Sequence, residues 1–112
     1  MATAFAQEAI RIHELAHLSD AEIAYAVGAA PSTVRDWFRG RTSPTGQRRE
    51  RVTELAEIVD RLSRVMEPDY IPVWMSKPIE ALGDQKPLQL IRRGRATQVA
   101  RVVSELESPG AV

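Results

Sequence analysis

The sequence predicts an all-α fold, and three observations predict it. Apolar residues recur at helical spacing along most of the chain, no stretch alternates apolar and polar residues over a useful strand length, and Gly and Pro interrupt the pattern at intervals that suit short helices. With 112 residues and 44% hydrophobic content, the chain can bury the core of one compact domain or of one and a half small ones. No internal repeat is visible.

Phe5, Ala9, Ile12 and Ala16 give a first amphipathic helix that ends before Ser19. Ser19 and Asp20 carry side-chain oxygens suited to capping the next helix, whose inner face is Ile23, Ala24 and Val27. Ala24 is small where two helices would cross closely. Gly28 can take the positive φ that closes this helix. Pro31 is placed as a first-turn residue, and Val34, Trp37 and Phe38 form the inner face of a third helix. Ala30, at its N-cap, has no side chain with which to satisfy an orphan N–H.

After the turn Thr42–Gly46, a long helix is expected from Gln47 to Met66. Val52, Leu55, Val59, Leu62 and Met66 lie on its main stripe, with Ile58 and Val65 on a flank. So wide an apolar face reads as the spine of the core rather than as part of an interface. Pro68 is expected to end it. Pro68, Pro72, Pro78 and Pro87 then restrict the chain to short helices with stiff joints, Pro78 and Pro87 fixing helix starts. Leu88, Leu90 and Ile91 form a brief segment closed by Gly94. Val99, Val102, Val103 and Leu106 define a last helix from Arg95 to Glu107, followed by the polar tail SPGAV.

The stretch Leu18–Gly40 resembles a helix-turn-helix DNA reader, whose second helix enters the major groove. With Val34, Trp37 and Phe38 inward, the helical period leaves Ser32, Thr33, Arg35, Asp36 and Arg39 outward. Arg35 and Arg39 can pair with guanine or phosphate, and Ser32 and Thr33 can bond to either. Arg41, Arg48, Arg49 and Arg51 suit backbone contacts. A helical hairpin packed on another protein is the plainer alternative. The charge distribution favours DNA: net charge is zero, yet residues 31–51 carry six arginines against two acids, while residues 1–30 and 52–91 are each net −3 and residues 92–112 net +2. Such a focused patch makes few phosphate contacts per copy, so useful affinity calls for a dimer or larger assembly.

Catalytic chemistry finds little support. His13-Glu14-Leu15-Ala16-His17 satisfies HExxH, which on a helix puts two imidazoles on one face for Zn²⁺ with the glutamate as base. The chain has only two histidines, its candidate third ligands (Asp20, Glu22) lie in no second motif, Arg11 and Ser19 replace apolar flanks, and no sheet shapes a cleft. Incidental histidines on a half-exposed helix are the better account. Glu54, Glu57 and Asp60 share a helix side with Arg61 and Arg64, the pattern of a solvated ion-pair face. There is no glycine-rich phosphate loop, no thiol and no Ser–His–acid arrangement, so neither catalysis nor a metal or cofactor is expected. The lack of cysteine fits a reducing cytoplasm, no apolar run reaches the ~20 residues needed to span a bilayer, and the N-terminus does not read as a signal peptide.

In the last third, Trp74, Lys77-Pro78, Ala81-Leu82-Gly83, Lys86-Pro87, Leu90-Ile91, Gly94 and Val99/Val102 stand in an order and spacing that resemble the toxin-binding domain of the Xre/MbcA/ParS antitoxins. Where that family usually carries a second glycine after Leu-Gly, this sequence has Asp84. The resemblance covers Leu18 to Leu106. It implies an Xre-like helix-turn-helix bundle (residues 1–66, with the motif at 18–40) followed by a small helical toxin-binding domain (residues 67–112). It further implies a RES-domain toxin partner that degrades NAD, operator DNA as a second partner for autorepression, and a homodimer or larger hetero-oligomer with toxin. By the same resemblance Trp74, Lys77, Lys86, Arg92, Arg93 and Arg95 belong to the toxin-binding surface, with the SPGAV tail ordering on the toxin. From the residues alone, Trp74 suits the module's own core better than a partner pocket, and solvation is the plain reading of the arginines. A free-standing Xre-like repressor without a toxin partner is the alternative function.

Overall fold

The computed structural model describes residues 11–108, and among them it is helical with no strand. The first helix, α1, is seen as residues 11–16; α2 spans Asp20–Val27, α3 Pro31–Phe38, α4 Gly46–Leu62, α5 Ile71–Met75, α6 Pro87–Arg92 and α7 Ala96–Glu107. Short 3₁₀ turns at Pro68–Tyr70 and Glu80–Leu82 flank α5. Ile12 and Ala16 are buried on α1 as expected, whereas Phe5, Ala9 and the tail from Pro109 onward lie outside the described residues.

Local chemistry sets the element ends. Ser19 and Glu22 form a reciprocal capping box: Glu22 N–H donates to Ser19 Oγ at 3.1 Å, and Ser19 N–H donates to the Glu22 carboxylate at 2.9 Å. Gly28, at φ 76°, closes α2 in the left-handed conformation. Pro31 opens α3 behind Ala30, which caps it with no side-chain hydrogen bond. At the end of α1 it is His17 that takes a positive φ, 51°, where a glycine or asparagine is usual.

Three features differ from the sequence expectation. The long helix ends at Leu62 rather than Met66, because the chain tightens into i→i+3 bonds (Arg64 N–H to Arg61 O, Val65 N–H to Leu62 O) and Ser63 Oγ donates back to the Asp60 carbonyl. Pro68 therefore opens a 3₁₀ turn instead of stopping α4, Val65 is exposed, and Met66 packs on the core from beyond the helix. Pro78 starts no helix; it precedes an isolated bridge between Ile79 and Gln85. Leu106, expected on the inner face of α7, is exposed, while Val99 and Val103 are buried. The bridge encloses a tight turn in which Gly83 (φ 66°) and Asp84 (φ 62°) are both left-handed. Aspartate tolerates that region better than most residues. Asp84 thus holds a conformation that a glycine would take without strain.

Packing joins the two halves. α2 lies against α3, α4 and α6, and α4 in turn lies against α6 and α7. One hydrophobic cluster runs from Ile12 through Leu55, Val59 and Leu62 of α4 to Leu90, Ile91, Val99 and Val103. The apolar face of α4 is the spine of that core.

Candidate functional site

Two surfaces hold the residues singled out by sequence. On the first, Val34 and Trp37 bury the inner face of α3, and Phe38 meets the His13 ring at 4.2 Å between centroids. Ser32, Arg35, Arg39 and Arg41 are exposed, and Thr33 and Asp36 are half-buried. Arg35 reaches Asp20 at 3.9 Å with about half of its side chain exposed (48%), and Arg41 reaches Asp36 at 3.8 Å. Long, half-solvated pairs of this kind hold little energy, so an arriving phosphate or guanine can displace them. Arg39 and Arg49 make no ion pair with the described residues. The arginines behind the motif are less free: Arg48 Nε donates to the Gly28 carbonyl at 3.2 Å, and Arg51 is largely buried and pairs with Glu54 at 3.1 Å.

The histidines of the HExxH sequence do not converge. His17 lies beyond α1, and its Nδ1 sits 2.7 Å from Asp69, while His13 Nε2 sits 3.1 Å from Asp20. Among the described residues no three of His, Cys, Asp and Glu gather as metal ligands would. The ion-pair face suggested by the spacing of the α4 carboxylates forms in part: Asp60 pairs with Arg64, while Glu54 pairs with Arg51. Arg64 binds Asp60 at 2.7 Å, Arg11 binds the same carboxylate at 3.3 Å, and Arg61 bridges to α7 through Glu107 at 2.5 Å and Ser104 Oγ at 2.8 Å. The Arg61 guanidinium, by its hydrogen bond first and its charge second, holds the Glu107 carboxyl below its ordinary range.

On the second surface most of the cations are tethered. Trp74 is buried in the core, only 6% exposed. Lys77 Nζ donates to Tyr70 Oη at 2.7 Å, and Arg93 donates to the Gln85 side chain at 3.0 Å. Arg92 donates to the Tyr25 carbonyl at 2.7 Å and lies 4.9 Å over the Tyr25 ring, fastening α6 to α2. Lys86 and Arg95 are exposed and make no such contact with the described residues. Lys86 lines a 350 Å³ groove between α2 and α6 with Ala21, Glu22, Tyr25, Ser76 and Leu88. Tyr25 and Tyr70 were not among the residues singled out by sequence, yet each organises a cation. The available signal for Tyr25 was an aromatic on the polar side of an otherwise alanine-rich helix. No helix of the described residues is long and apolar enough to cross a membrane.

Comparison with known proteins agrees with this architecture. No family model matches the sequence. The chain is 32% identical over 85 residues to the mycobacterial cidal antitoxin MbcA of Mycobacterium tuberculosis (strain H37Rv) and, at the same level, to that of Mycobacterium bovis, covering 76% of this chain and 75% of each relative. In three dimensions it superposes with a TM-score of 0.87 on a chain of the crystal structure of the M. tuberculosis MbcT–MbcA toxin–antitoxin complex, at 28% identity, covering 99% of this chain and 100% of that one.

Proposed function

This chain belongs to the family of the mycobacterial antitoxin MbcA and is an antitoxin of a toxin–antitoxin system; from that premise we propose that it neutralises a RES-domain, NAD-degrading toxin by covering the toxin's active site and represses its own operon through α2 and α3. The observation that carries the reading is the near-complete backbone match to a chain taken from a toxin–antitoxin complex. In this reading the exposed Lys86 and Arg95, with Arg93 beside them, meet acidic groups of the toxin, while Trp74, Lys77 and Arg92 hold the surface in shape. On the opposite task, Ser32, Thr33, Arg35, Asp36, Arg39 and Arg41 read and grip operator DNA, and the modest charge of one copy makes binding depend on a dimer or a toxin-bound assembly.

Co-expression tests the antitoxin half. Together with the RES-domain protein encoded beside it, the chain is expected to co-purify with that protein, restore growth and preserve cellular NAD. If the neighbour is neither bound nor neutralised, the RES assignment fails. An operator-binding protein with no toxic neighbour would be a free-standing repressor.

A further inference from the structure

An open cavity of about 380 Å³ lies where the helix-turn-helix meets the C-terminal helices, lined by Val27, Gly28, Thr45, Gln47, Arg48, Arg51 and Arg92. Three guanidiniums and no carboxylate line it. The arginines come from both halves of the chain, and each is already held by one hydrogen bond: Arg48 Nε on the Gly28 carbonyl, Arg51 Nη1 on Glu54 and Arg92 Nη1 on the Tyr25 carbonyl. A guanidinium has five N–H donors, so all three retain donors after these contacts. Arg51 also lies close over Gly94, where an added Cβ would stand 2.7 Å from its Nη2. Glu54 at 3.1 Å and Glu50 at 4.0 Å both face Arg51, so the positive charge of the lining rests chiefly on Arg48 and Arg92.

Side chains fixed in advance lose little freedom on binding, and clustered guanidinium forks match the oxygens of a tetrahedral oxyanion. We infer that this cavity is a phosphoryl-binding site whose occupant bridges the DNA-reading half and the C-terminal half through Arg48, Arg51 and Arg92. Two sources share that chemistry: a free or nucleotide-borne phosphate, and a phosphodiester of bound DNA. The Thr45 hydroxyl, which caps no helix N–H, adds a polar group to the same wall. The site is independent of the toxin assignment and stands or falls separately from it.

The full chain, labelled at arginine Nε, is titrated with inorganic phosphate against chloride at equal ionic strength, and then with a short DNA duplex of unrelated sequence. If the occupant is a free phosphate, millimolar phosphate raises Tm, moves the Arg48, Arg51 and Arg92 Nε–Hε signals together, and binds at least tenfold more weakly to Arg48→Gln and to Arg92→Gln. If it is a DNA phosphodiester, phosphate does little, while the same variants weaken duplex binding uniformly across sequences and reduce its salt dependence by about one ion per arginine. Arg48→Gln keeps the test sound should Arg92→Gln loosen α6 from α2. Unchanged phosphate and duplex binding in a folded Arg48→Gln chain overturns the site.

Discussion

The cations around α3 and most of those singled out in residues 67–108 are managed in opposite ways. Around α3, Arg39 stands clear and Arg35 and Arg41 have only long, solvated partners. In residues 67–108, Lys77, Arg92 and Arg93 each rest on a neighbour at 2.7 to 3.0 Å. The first arrangement leaves charge available to a ligand that arrives with its own oxygens. The second uses charge to fix the positions of short, proline-bounded helices that have little internal cooperativity of their own. A surface made of brief segments needs such ties to keep one shape.

The largest expected effect tests whether these halves are separate at all. Trp74 sits on the five-residue α5 yet is buried in the common cluster. Trp74→Ala is expected to cost roughly 3–5 kcal/mol, a large part of the total for a domain of this size. Because α2 packs on α6 and α4 on α7, urea unfolding should remain one transition at a lower midpoint, with hydrogen exchange rising in α2 and α4 as well as in α6 and α7. Loss of residues 67–108 alone, with the helix-turn-helix still protected, would make them independent modules.

Arg39→Ala sharpens the contrast in the other direction. As an exposed side chain without a partner among the described residues, it should alter stability by no more than about 0.5 kcal/mol. If it reads a base, operator affinity should fall by about 1–3 kcal/mol, with weakened discrimination at one position. Operator affinity unchanged to within experimental error would move recognition away from the end of α3.

Much of this was legible because it is local chemistry. The Ser19–Glu22 cap, Gly28, Pro31 and the stripe of α4 announce themselves at fixed offsets. Other features depend on contacts or backbone conformations that residue type alone does not reveal. α4 stops at Leu62 because Ser63 turns back on Asp60, a choice that the apolar run to Met66 conceals. Arg92 reads as one of three solvated arginines until α6 is laid on α2 and the Tyr25 carbonyl comes into reach. His17 and Asp84 take backbone conformations for which their residue types are second choices, and composition gives no warning of either.

A smaller effect concerns the start of α3. Ala30 has extended backbone angles, φ −83° and ψ 150°, that a serine adopts freely. Ala30→Ser offers an oxygen to the N–H groups of Ser32 or Thr33 and should stabilise the protein by about 1 kcal/mol. If disorder at this helix end limits DNA binding, operator affinity rises with it. Higher Tm with unchanged affinity would show that α3 is already held in place by Val34 and Trp37.

The smallest effect has a definite sign with pH. Glu107 ties α7 to α4 through Arg61, and its carboxyl is held below the ordinary value of 4.5 by that hydrogen bond and charge. A group whose folded pKa is lowered contributes stability above its unfolded pKa and loses it as pH falls through the folded one. Arg61, whose pKa is raised further by its hydrogen bond to Glu107, stays charged throughout this range and adds no acid limb of its own. Glu107→Gln should therefore lower Tm by a constant amount near neutrality. The gap should begin to close as pH drops below about 4.5 and vanish once the wild-type carboxyl is protonated. A gap that persists in acid would mean that the substitution acts through something other than the carboxylate's charge; no gap near neutrality would mean that α7 is secured by Val99 and Val103 alone, and that the charges on its outer face follow the packing rather than help to set it.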